Sequence, residues 1–120
     1  MSSEKLESLK IAFFTKELDL TPKEAQNFWP IYNEYSAKKK ELREKRKQRP
    51  DLSDVSEEEA LALIDVFLNH KQNELDLDRN YTEQFKKVLP AQKVMMTFML
   101  ERKFKEEVLK DVRRRLKDSQ

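Results

Sequence analysis

Few residues in this chain have types and spacings that could do chemistry. His70 is the sole histidine, and with Glu74 at i, i+4 it can present two metal ligands on one helical face. A specific site needs further ligands, and none is marked, so His70 reads as a solvated or packing residue. Met95, Met96 and Met99 could attract a soft metal, but no Cys or His accompanies them. They read as adaptable apolar material, in the core more than on a client-facing surface. Carboxylates are plentiful, yet none sits in an apolar setting that would shift its pKa for acid–base work. There is no cysteine and no glycine, so thiol chemistry and Gly-rich phosphate loops are excluded. The reading is of a non-enzyme, with no cofactor and no metal.

The elements that must position these residues are helical. In 120 residues, 40% are charged and 38% hydrophobic, and the absence of glycine disfavours tight hairpin turns. The length suits one domain, spanning 1–120. The net charge of +2 is too balanced for a nucleic-acid binder. No apolar stretch approaches the roughly 20 residues of a transmembrane helix. No secretory signal is visible, and Met1-Ser2-Ser3 is compatible with a trimmed or processed start.

The pattern predicts four helices. The first runs from about Glu4 to Leu18, capped by Ser3. Leu6, Leu9 and Phe13 form one stripe; Ile11, Phe14 and Leu18 form a second, so this helix should be gripped on more than one side. The second starts at Pro22 behind a capping box: Thr21 caps, Pro22 fits the first helical position, and Glu24 reaches back. It continues to about Arg46 across Pro30, where a kink or local defect is expected rather than a break. Phe28, Trp29, Tyr32 and Tyr35 read as core. Lys38 to Arg49 then carries eight basic residues, Lys39 and Arg43 among them, against two Glu. A turn falls at Gln48-Arg49-Pro50-Asp51. The acidic stretch Asp51 to Glu59 should fold back to neutralise part of that basic run.

Ser56 and Glu59 make a second capping box for a helix over Glu57 to Val88. Its ends are apolar, with Leu61, Ile64, Phe67 and Leu68 at one and Tyr81, Phe85 and Val88 at the other. Its middle, Asn69 to Asn80, is mostly polar. The fourth helix, Pro90 to about Leu116, repeats that arrangement around a charged Glu101–Glu107 segment containing Phe104. Polar waists on two neighbouring long helices predict a thin, extended hairpin, or a waist that faces water or a partner.

Val88-Leu89-Pro90-Ala91-Gln92 can be laid on Leu20-Thr21-Pro22-Lys23-Glu24. Together with the Phe28-Trp29-Pro30-Ile31-Tyr32 phrase and the segment Tyr81 through Phe104, this resembles the doubled L-T-x-x-Q motif of the periplasmic Spy/CpxP-like family, in its Bacteroidetes-type branch. On that resemblance Leu20, Thr21, Pro22, Glu24, Phe28, Trp29, Pro30, Tyr32, Leu89, Pro90 and Gln92 are motif or structural positions. Glu24 stands for the first Gln and keeps the capping chemistry. Leu89 stands for the second Thr and removes the capping hydroxyl. The resemblance implies an all-α, four-helix, thin and curved protein, often a cradle-shaped homodimer. It implies a periplasmic, stress-induced, ATP-independent chaperone or adaptor that binds unfolded proteins. The alternative it offers is a sensory or regulatory module for a signalling protein, metal-responsive in some relatives. Phe104, Met95, Met99, Lys39 and Arg43 are the candidate partner contacts.

Overall fold

The computed structural model describes residues 3–46 and 51–119. Among them every regular element is an α-helix: α1 (Ser3–Leu18), α2 (Pro22–Arg46), α3 (Glu57–Lys86) and α4 (Ala91–Asp118). The expected turn at Gln48-Arg49-Pro50, and Lys47 and Arg49 of the basic run, lie outside the described residues. The described chain forms two compact units, Met1–Ala25 with Leu89–Gln120, and Gln26–Val88.

Helix boundaries follow local chemistry. α1 starts at Ser3 itself, one residue before expectation. It ends before Asp19, which takes φ 46°. In a chain without glycine, Asp is among the few residues that enter the left-handed region at modest cost. α2 then starts from a reciprocal capping box. The Glu24 N–H donates to Thr21 Oγ1 at 3.1 Å, and the Thr21 N–H donates to Glu24 Oε1 at 2.9 Å. The helix continues unbroken through Pro30. At α3 only half of the expected box forms: the Glu59 N–H donates to Ser56 Oγ at 3.1 Å, and Glu59 makes no return bond among the described residues. α3 stops at Lys86, two residues early, because Val88 and Leu89 must lead into Pro90, which disfavours helical geometry before it. Pro90 is the N-cap of α4, not its first helical residue, and no side chain caps that end.

In the first unit α1 and α4 run antiparallel. Asp19 meets Lys93, Phe13 meets Phe104 with ring centroids 5.8 Å apart, and Leu6 lies beside Val112. Lys10 Nζ and Glu101 Oε1 pair at 3.2 Å. Phe14 and Leu18 are buried, as are Leu89, Val94, Thr97 and Leu100. Leu9 and Ile11 remain exposed at 45% and 43%, so one residue of each expected α1 stripe is left in water. The α4 contact uses the Leu6–Lys10–Phe13 edge instead.

In the second unit α2 and α3 form an antiparallel pair around an aromatic core. Phe28 packs on Phe85 at 5.5 Å, and Tyr35 on Tyr81 at 5.3 Å and Phe85 at 6.0 Å. Phe28, Tyr32, Tyr35, Tyr81 and Phe85 are buried and Trp29 half-buried. Trp29 stacks edge-on against Phe28 and Tyr32. Arg46, the last described residue of α2, pairs with Glu74. α3 therefore begins about 17 residues before its last partner among the described residues of α2, an overhang of roughly 25 Å at ~1.5 Å per residue. That geometry explains why Leu61, Ile64, Phe67 and Leu68 are all more than half exposed.

Candidate binding surfaces

The polar groups that fix the helices come first. Beside the α2 cap, Lys93 of α4 donates to the Asp19 carbonyl at 2.9 Å and to Glu24 Oε1 at 2.7 Å. One ammonium thus ties the α1–α2 joint to the start of α4. Its hydrogen bond, and the Thr21 N–H, hold the Glu24 carboxyl below the usual range. Gln92, the motif's counterpart of Glu24, is exposed and bonds nothing among the described residues. The two helix starts are alike in sequence, but only the first has a side-chain cap.

In the second unit two tyrosines each cross from one helix to a carboxylate on the other. Tyr35 Oη donates to Asp78 Oδ1 at 2.6 Å and accepts from Lys39 Nζ at 3.1 Å. Tyr81 Oη donates to Glu34 Oε1 at 2.8 Å, and Lys38 pairs with Glu34 at 3.4 Å. The Tyr81 bond holds Glu34 below its usual pKa, while burial raises that of Tyr81. These bonds satisfy hydroxyls that an aromatic core would otherwise strand. Next to them Lys38, Glu41, Leu42, Asn73, Asp76, Leu77 and Asn80 line an open groove.

The residues singled out in the sequence divide sharply. Met95 and Met99 are 60% and 59% exposed, so the core reading fails for both. They lie one turn apart on a face of α4 that points away from buried Val94, Thr97 and Leu100. Phe104 is half-buried against Phe13, and Lys103 lies over the same Phe13 ring at 5.8 Å. Phe104 thus has part of its surface committed to α1. Lys39 is likewise engaged, lying 5.3 Å above the Tyr35 ring while donating to its hydroxyl. Arg43 stays exposed. Of the motif positions, Leu89, Phe28 and Tyr32 are buried, Leu20 half-buried, and Pro22, Pro30 and Pro90 exposed.

Among the described residues the acidic stretch Asp51 to Glu59 makes no ion pair with the basic run. Among the described residues, the cross-helix ion pair of that run goes to Glu74, in the α3 waist. Asp51 instead turns its own loop, accepting from the Ser53 N–H at 3.0 Å and the Ser53 hydroxyl at 2.7 Å. Glu74 is thereby taken from the His70–Glu74 couple, and among the described residues no group of three metal-ligating side chains converges. No described helix is long and apolar enough to cross a membrane.

Lys93, Asp78 and the Glu34–Tyr81 pair escaped the sequence reading. Lys93 follows Gln92 directly, and nothing in the α4 pattern marks it as a tie to another helix. The chain matches no family model, no curated protein and no solved structure.

Proposed function

We propose that this protein is a non-enzymatic binding protein of the bacterial envelope, an ATP-independent chaperone or adaptor that holds unfolded segments of other proteins weakly and reversibly. The observation that carries this reading is the set of large apolar side chains left in water on otherwise charged helices. On α4, Met95 and Met99 are flanked along their face by Gln92, Arg102 and Lys103. A flexible thioether surface repacks around varied apolar groups, and surrounding charges keep the contact from closing into a dry core. The envelope assignment rests on the resemblance of Leu20–Tyr32 and Val88–Gln92 to the Spy/CpxP-like motif.

The assay is suppression of aggregation of a reduced test protein, without nucleotide. Protection near stoichiometric dose, weakened by M95S/M99S, is the expected result; no protection at several-fold excess overturns the reading.

The α3 overhang supports a homodimer within the same proposal. Leu61, Ile64 and Leu68 recur at 3- and 4-residue spacing and Leu75 follows one heptad on, with Lys71 at the seam position between, as in an interrupted coiled-coil seam. A second copy laid antiparallel and centred on Leu68 would set Leu61 against Leu75 and Asp65 against Lys71. Sedimentation should show a dimer that L68E converts to a folded monomer. A wild-type monomer at every accessible concentration would remove the dimer.

A further inference from the structure

The C-terminal half of α4 joins two properties that the rest of the surface keeps apart. Val108, Leu109, Val112 and Leu116 fall within about 100° of arc at ~100° per residue. Leu109, Val112 and Leu116 stay exposed, Leu116 at 62%. Residues 110–118 also carry five cations against two carboxylates. Arg115 borders one edge of the apolar strip and Arg113 the other, with Lys117 next to Arg113 and Lys110 and Arg114 behind. Asp111 holds Arg114 Nη2 at 2.7 Å and Arg115 Nε at 3.2 Å. Arg113 and Lys117 have no carboxylate partner among the described residues. Leu6 of α1 extends the strip: with Val108, Val112, Arg115 and Leu116 it lines an open groove of about 350 Å³, apolar except for the arginine.

Neither of the other prominent surfaces has this pairing. The basic run of α2 offers only half-buried Leu42 among its cations. The exposed α3 face is bordered by Glu57, Glu58, Glu59 and Asp65, which an anionic surface would repel.

We propose that this end of α4, with Leu6, docks on an anionic lipid surface. The helix lies in the interfacial plane with Val112 and Leu116 at the acyl boundary. Arg113, Arg115 and Lys117 extend along its flanks to the lipid phosphates. A nucleic acid would use the cations but leave the apolar strip in water, and the α2 run would then be the better site. The lipid surface is the occupant that uses both.

The test is co-sedimentation of the full chain with vesicles of phosphatidylcholine alone, or of phosphatidylcholine with phosphatidylglycerol. Binding should be at least ~10-fold stronger to the anionic vesicles and should fall steeply in ~1 M salt, where charges are screened within ~3 Å. R113E/K117E and V112S/L116S should each abolish it while circular dichroism stays helical. K40E/K45E, which alters the α2 run, should leave most of it. Equal binding to both vesicle types overturns the proposal, as does an α2 variant that loses as much as the α4 variants. If V112S/L116S turns a dimer into a monomer while the wild type ignores vesicles, a second copy covers the strip and the proposal also fails. R113E/K117E should still protect a client in the lipid-free aggregation assay, so this inference and the chaperone reading fail independently.

Discussion

The two ends of α3 are built from similar material and meet opposite fates. Toward its C-terminus Tyr81 and Phe85 are fully buried against α2; toward its N-terminus Leu61, Ile64, Phe67 and Leu68 are more than half exposed. Hydrophobicity does not separate them. What separates them is where the neighbouring helix stops, since the described part of α2 ends opposite Glu74. An amphipathic pattern specifies that a face wants cover. Chain length and loop position decide whether this molecule or another one supplies it.

The sharpest way to break this contrast is truncation. F85A should cost about 3–5 kcal/mol of unfolding free energy by removing a buried ring. F67A, at the other end, should stay within about 1 kcal/mol, as for other exposed sites. Equal losses in urea or guanidinium unfolding would mean that the overhang is covered in solution. Next comes D78A, which strips the carboxylate acceptor from the buried Tyr35 hydroxyl. A loss of about 1–3 kcal/mol is expected, and Y35F/D78A should recover part of it.

A smaller effect separates the two helix starts. T21A removes a formed cap and should cost about 1 kcal/mol, whereas Q92A, at the uncapped start, should stay within about 0.5 kcal/mol.

The gentlest test is a pH slope. Glu24 and Glu34 both have folded-state pKa values below 4.5. The stability they contribute is present above that value and is lost as pH falls through the lowered, folded-state values. Thermal melts should therefore decline below about pH 4.5, and E24Q should flatten part of the decline. A wild-type profile flat down to pH 2 would sink the Lys93–Glu24 and Tyr81–Glu34 contacts together.

Local chemistry made most of the fold legible. Thr21, Pro22 and Glu24 place the start of α2, and Ser56 places that of α3, because caps act within one helical turn. The ends of α3 and α4 were less clear. Without glycine, nothing in the sequence marks a stop, and the restraint from Pro90 acts backwards on Val88 and Leu89. The aromatic core was legible from the spacing of Phe28, Tyr32 and Tyr35. The fates of Met95 and Phe104 were not, since both occupy apolar positions on α4 and only its contact with α1 distinguishes them. The polar ties were hidden for another reason. Lys93, Asp78 and Glu34 look like dozens of other charges here, and their partners are 43 to 74 residues away.

The α3 overhang has a consequence for dynamics. A helical arm of about 17 residues with little lateral support is only just above the ~12–15 residues below which isolated helices are marginal in water. Ser56 and the three glutamates of its first turn strengthen only its tip. Amide hydrogen exchange should therefore be slow from Glu74 to Phe85 and quicken stepwise toward Glu57, as an opening unit separate from global unfolding. Association through this arm would slow that exchange selectively, so the protection of residues 57–70 becomes a direct readout of occupancy.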